Sequence, residues 1–210
     1  MKNLLFIFLM FQATTMKIDF NVEDENIEFS KPISEQEILK FKEIYNVDLP
    51  ASFIDFKKNI ADYFYINSGN AFVLFSLFDN KESTSIAEIS TDYAHLGNVL
   101  KTHKLIIFGM AGVDSETWAF YIDKKLSTGE YPIIWIYPGE ERFFVHSTNF
   151  ESFLNIQYHS LVNSGDYDDY DEYYRKLVSK YDQGIKPFGY NDIYSEAHDL
   201  VDLELIMNKL

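Results

Sequence analysis

The stretch FGMAGVDSETWAFYID, Phe108 to Asp123, decides how this chain is read. It gathers glycines, acids and small hydroxyl residues beside a tryptophan, as a phosphate cradle or a metal loop would. A phosphate loop needs convergent backbone donors, a lysine and a helix that starts there. Gly109 and Gly112 instead follow one apolar run and precede another, and no lysine occurs before Lys124. A calcium loop needs alternating oxygen ligands closed by a glutamate. Asp114 and Glu116 alternate, but the run then turns into Trp118 and Ala119. The stretch therefore reads as a strand ending at Phe108, a turn, and a second strand with Trp118, Phe120 and Ile122 on one face.

Outward from it, Ala71 to Phe78, Leu105 to Phe108, Tyr131 to Tyr137 and Arg142 to His146 also read as strands. Ser127-Thr128-Gly129 offers a hairpin connection, and Ile86 to Leu100 suits either helix or loop. Consecutive strands with short turns argue for an antiparallel sheet. Before them come an irregular lead-in over 17–33 and two helices. Ser34 and Glu37 form a capping box, Ile33 and Ile38 a hydrophobic staple, and Ile38, Phe41 and Tyr45 an apolar stripe ending near Asn46. Pro50 opens the second helix, with Phe53, Phe56 and Ile60 on one face, and Asn67 to Asn70 makes a turn. After the strands, Asn149 caps a helix carrying Phe150, Phe153 and Leu154. Two more helices are predicted, Asp168 to Tyr181 and Asp192 to about Asn208.

Composition excludes several functions. There are 18 basic and 33 acidic residues, for a net charge of -15, and no Lys/Arg cluster of the kind that binds nucleic acid. An acidic surface favours basic partners. The absence of cysteine removes disulfides, thiol catalysis and cysteine-ligated zinc. His95, His103, His146, His159 and His198 form no pair at ligand spacing, and no serine sits in a G-x-S-x-G elbow. No catalytic, metal or cofactor residue is assigned. The apolar run Leu4 to Phe11 is too short to span a bilayer, which takes about 20 residues. It fits an over-called start before Met16, an export signal or a buried strand, so the expected location is cytoplasmic, or exported if 1–15 is a signal.

The best interaction candidate is the acid-tyrosine segment around SGDYDDYDEYY, Ser164 to Tyr174. Tyrosine gives large contact area at small entropy loss, and acids pair with a basic partner. Its candidate contacts are Asp166, Asp168, Asp169, Tyr170 and Asp171, with Asp114 and Glu116 as further surface contacts.

The order of these blocks resembles the SUKH superfamily, the family of the fungal cell-wall-assembly regulators and of bacterial immunity proteins. The resemblance rests on ISEQEILKFKEIYNVDLPASFIDFKKNIADYFYINSGN (Ile33 to Asn70), then LIIFGMAGVDSETWAFYID, then the Pro132 strand followed by FESFL. The family turn usually reads Asn-Gly-Gly, where this chain has Asn67-Ser68-Gly69. The resemblance implies an α+β domain over 17–160, a curved antiparallel sheet with flanking helices. An apolar segment, 1–16, precedes it and an acidic helical extension, 161–210, follows. It also implies a binding protein rather than an enzyme, an immunity-type protein that neutralises a cognate nuclease- or deaminase-like toxin domain. A regulatory interaction module of the same family, or a metal-dependent enzyme using Asp114, Glu116 and a histidine, stays open. Leu49, Pro50, Phe108, Gly109, Trp118, Asp123 and Phe153 are the family's shared positions and read as structural.

Overall fold

The structure is a computed structural model, describing residues 16–19, 27–67, 71–78, 85–86, 105–111, 116–137, 140–163 and 168–210. The chain forms an α+β fold built on one antiparallel sheet. Its strands are β1 (Ile27–Phe29), β2 (Phe64–Ile66), β3 (Phe72–Leu74), β4 (Leu105–Ala111), β5 (Glu116–Tyr121), β6 (Ile133–Tyr137), β7 (Arg142–Ser147) and β8 (His198–Asp199). They lie in sequence order, each paired with the next. The opening stretch supplies the end of β4 and all of β5, with Leu105 opposite Tyr121 and Ala111 opposite Glu116. The strand does not end at Phe108 as the sequence reading has it: Gly109 to Ala111 pair with Trp118 to Glu116 and continue β4, so the glycine lies in the ladder and not in the turn. Phe108 is the extra residue of a bulge between Ile107 and Gly109.

Successive residues of β5 and β6 are buried, Thr117 and Ala119 as well as Trp118 and Phe120. Strands covered on both faces read as continuous apolar runs rather than alternating ones, as IIWI does in β6. On one face Phe108 stacks on Phe120 at 4.1 Å between ring centroids. Phe53 meets Phe108, Phe120 and Phe150 at 5.8, 5.2 and 4.8 Å. Edge-on contacts of this kind add about 0.5–1.5 kcal/mol per pair beyond area burial.

Among the described residues, six α-helices accompany the sheet. In α1 (Glu35–Tyr45), Ser34 Oγ accepts from Glu37 N and Glu37 accepts from Ser34 N, the complete capping box. The helix ends at Asn46 in the left-handed region, φ 52°. Pro50 opens α2 (Ala51–Asn59), and Asn149 caps α3 (Phe150–Val162) by accepting from Ser152 N. α4 (Tyr170–Tyr181) packs against α3; α5 (Asp192–Ser195) and α6 (Leu203–Met207) complete the set.

Three further departures from the sequence reading have local causes. The lead-in contains β1, which gains its order by pairing with β2. β2 itself is a three-residue strand hidden between the α2 pattern and the Asn67 turn. The helix predicted over 192–208 is broken in two. Arg142 takes the carbonyls of Tyr194 and Ala197, and β8 pairs with the outer edge of β7. Tertiary pairing here overrides helix propensity. The tail also places Leu200, Leu203 and Met207 in the core, and Lys124 Nζ donates to the Met207 carbonyl at 2.6 Å. The Leu4–Phe11 run, the Ser68–Asn70 turn and nearly all of Ile86–Leu100 fall outside the described residues.

A four-residue strap fastens the helices. Met16 N donates to Asp55, Asp19 N donates to Asn155, and Asn155 Nδ2 donates back to Lys17 O. The Asp19 carboxylate accepts from the Tyr181 hydroxyl and from Lys180, which holds it below the usual carboxylate range.

Lys57 is fully buried. Its ammonium donates to the carbonyls of Asp62 and Phe75 and lies 3.8 Å from the Asp62 carboxylate. Burial pushes its pKa down to about 8.

The role of Gly109 is testable. A Cβ there would lie 2.6 Å from the Val73 carbonyl oxygen, a backbone atom of the neighbouring strand that cannot step aside. Gly109→Ala is expected to lower stability by about 1–3 kcal/mol, the range for an overpacked core, read as a fall in the urea midpoint at unchanged m-value. An unchanged midpoint would mean that the β3–β4 register is looser than described.

Candidate functional site

The acid-tyrosine segment becomes α4, and its first job is architectural. Asp169 caps the helix by accepting from Glu172 N at 3.0 Å. Tyr173 and Tyr174 face inward and are buried. Tyr174 Oη lies 2.6 Å from His146 Nε2 on β7, with Gln157 of α3 within 3.3 Å of both. His146 Nδ1 is 2.7 Å from Ser147 Oγ, and the ring packs on Trp118, Phe153 and Phe188. Burial pushes His146 down to about 3, so the imidazole is neutral. The same burial raises Tyr174, whose hydroxyl stays protonated. This network joins sheet, α3 and tail.

Asp171 also works on the scaffold. It accepts from Asn191 N at 2.8 Å and pairs with Arg175, which reaches Asp192 at 2.8 Å and donates to Pro187 O. Gly189 fits under this arrangement because a Cβ there would fall 2.0 Å from the Asp171 carboxylate. The loop so held presents Tyr190 to the surface.

Outside this layer lies a continuous aromatic band. Tyr190 touches Tyr170, Tyr174 and Tyr194 at 5.4, 5.6 and 5.7 Å. Tyr194 packs edge-on against Trp135 at 5.2 Å, and Trp135 stacks on Tyr137 at 5.7 Å. The hydroxyls form a chain: Tyr190 and Tyr194 are 3.1 Å apart, and Tyr194 donates to Glu116. Burial, then the Glu116 carboxylate, raises the Tyr194 pKa far above its ordinary value. Tyr194 remains 37% exposed.

Of the residues singled out in the sequence, Glu116, Tyr170 and Asp171 are therefore brought to one surface, 78 residues of chain separating Glu116 from Tyr194. Asp168 and Asp169 stand exposed at the start of α4 beside it. Asp114 and Asp166 lie outside the described residues. Tyr190, Tyr194 and Trp135 were not singled out as site residues. Their only sequence signal is the four-residue spacing of Tyr190 and Tyr194, which becomes a surface once the tail folds back.

A separate groove of 880 Å³ runs between the starts of α2 and α3. Its charged groups are largely committed. Glu130 accepts from Ser52, Asp55 from Met16 N and Asn59, and Lys58 pairs with Glu35. Among the described residues no group of three or more His, Asp or Glu side chains is placed to hold a metal, and no helix is long and apolar enough to cross a membrane.

The model of the SMI1 / KNR4 family (SUKH-1) matches residues 32–156, from the residue before the α1 staple to the middle of α3. That span includes the glycine turn, the Trp118 strand and the Phe150–Phe153 helix face. The chain belongs to the SMI1 / KNR4 family (SUKH-1). No curated protein and no solved structure matches it. Of the positions read as structural from the sequence resemblance, Leu49, Phe108, Trp118 and Phe153 are buried, and Pro50 and Gly109 with them, whereas Asp123 is exposed. Membership in SUKH-1 implies protein-protein interaction, and it covers neither α4 nor the tail that carries Tyr190 and Tyr194.

The buried histidine sets a pH dependence. His146 is depressed in the fold, so between its unfolded value near 6.5 and its folded value near 3 the unfolded chain binds a proton that the fold does not. Its contribution is full above pH 6.5 and is lost as pH falls, by about 1.4 kcal/mol per pH unit within that window. Urea unfolding from pH 7 to pH 4 should therefore show a shallower fall for His146→Gln than for the natural chain. Parallel curves would contradict a neutral buried imidazole.

Proposed function

We propose that this chain is an immunity-type binding protein that neutralises a cognate bacterial toxin domain, nuclease- or deaminase-like, by direct contact. The observation that carries the reading is the band joining Glu116, Tyr194, Tyr190, Tyr170 and Asp171 into one surface. Aromatic anchors among acids suit a basic protein surface. The rings supply buried area with few rotors, and the acids speed encounter and exclude acidic competitors. The net charge of -15 extends that field over the whole molecule. The SUKH-1 match supports a binding role. A contact on the tail side of the sheet is supported by the band and by the scaffold beneath it, where Asp171 pairs with Arg175 and His146 with Tyr174.

The test uses the toxin domain encoded beside this protein, with toxin activity and affinity measured together. Stoichiometric inhibition is expected, with affinity falling as salt is raised from 50 to 200 mM. Tyr194→Ala should weaken binding by about 30-fold, the scale of an interface hot spot of about 2 kcal/mol. Asp168→Asn should chiefly slow association. Asp169→Asn keeps the helix cap and isolates the charge. Full inhibition by Tyr194→Ala, with salt-independent affinity, would overturn this placement of the interface.

A further inference from the structure

We propose that the Glu116–Tyr194 end of the band is an arginine-recognition site, taking a guanidinium group from the protein partner. This rests on the function proposed above and names the chemistry of the contact.

Glu116 is a carboxylate without a cation. One oxygen accepts from Tyr194 Oη, and no ion pair of Glu116 exists among the described residues. The two arginines at this end of the sheet are already engaged. Arg142 donates to the carbonyls of Tyr194 and Ala197 and pairs with Glu140 at 3.4 Å. Arg175 is shared between Asp171 and Asp192. Neither arginine is therefore committed to Glu116, whose carboxylate is held by the Tyr194 hydroxyl.

Its walls are aromatic. Tyr194 is the most exposed ring of the band, and Tyr137 stacks on the buried Trp135, its plane within 8° of the indole. Tyr194 cannot swing freely, because Trp135 and Tyr190 hold its ring and Arg142 its carbonyl. A carboxylate fixed by a hydroxyl beside fixed ring faces selects between the two common cations. A guanidinium is planar, weakly hydrated, stacks on rings and meets a carboxylate through parallel donors. An ammonium keeps its water and has no face to stack. A phosphate is repelled, and an apolar side chain would leave Glu116 buried and unpaired.

The site can be probed with acetylated tetra-arginine and tetra-lysine amides, titrated by calorimetry at low salt into the full chain. The arginine peptide should bind about tenfold more tightly, the scale of one cation–π contact plus a bidentate pair. Glu116→Gln and Tyr194→Leu should each bring the ratio close to one, with thermal unfolding confirming that both variants are folded. Glu43→Gln, an exposed acid on α1, should leave the ratio unchanged and so exclude a mere effect of net charge. Equal binding of the two peptides, or a ratio that survives both Glu116→Gln and Tyr194→Leu, overturns the proposal. Toxin inhibition without arginine preference would sink this proposal and leave the proposed function standing. Arginine preference through Glu116 without toxin inhibition would do the reverse.

Discussion

The contact of Phe108 with Phe120, and of both with Phe53 and Phe150, is the constraint on which the rest of the structure depends. Phe108 sits in a bulge, so its ring leaves the regular alternation of β4 and stacks on Phe120 at 4.1 Å. Phe53 then meets Phe120 edge-on and Phe150 meets Phe108 edge-on, one from α2 and one from the first turn of α3. Strands β2 to β7 separate these helices in sequence. Their starts are nevertheless fixed together by the same two rings. The bulge requires close approach of β3, and Gly109 is the residue that allows it, facing the Val73 carbonyl with no side chain of its own.

A sheet whose central strands are apolar on successive residues must be covered on both sides. The segment matched by SUKH-1 ends within α3, and the tail continues the task. It docks through polar contacts at defined points rather than through a long helix. Arg142 terminates the Asp192–Ser195 turn, β8 adds a strand to β7, and Leu203 and Met207 enter the core. Asp182 ends α4 while accepting from Thr148 N, Thr148 Oγ1 and Gly184 N, so one carboxylate fastens the end of α4 to the segment that leads into α3.

Local chemistry was readable in the sequence; long-range closure was not. The Ser34/Glu37 box, the helix end at Asn46 and the Asn149 cap each act within four residues, and each is where the spacing predicts. Antiparallel strands joined by short connections were legible for β4 to β7. β2 and β8 were not, because strands of three and two residues carry no periodicity and exist through their partners. The site divides in the same way. Acids and tyrosines near 170 could be singled out by composition, but Glu116 meets Tyr194 only because the tail reverses over the sheet.

That reversal also changes what an acidic segment means. Counted along the chain, Asp168, Asp169, Asp171 and Glu172 look like one negative patch. In the fold Asp169 caps a helix, Asp171 ties down a loop through Asn191 and Arg175, and Glu172 pairs with Lys176. Charges already paired at home add little to attraction at a distance of contact, because a partner must compete with the existing cation. Carboxylates without a home cation, Glu116 above all, keep their full demand for one. Selectivity at this surface therefore follows from where the scaffold leaves a carboxylate unpaired beside a fixed ring, and not from how many acids the segment contains.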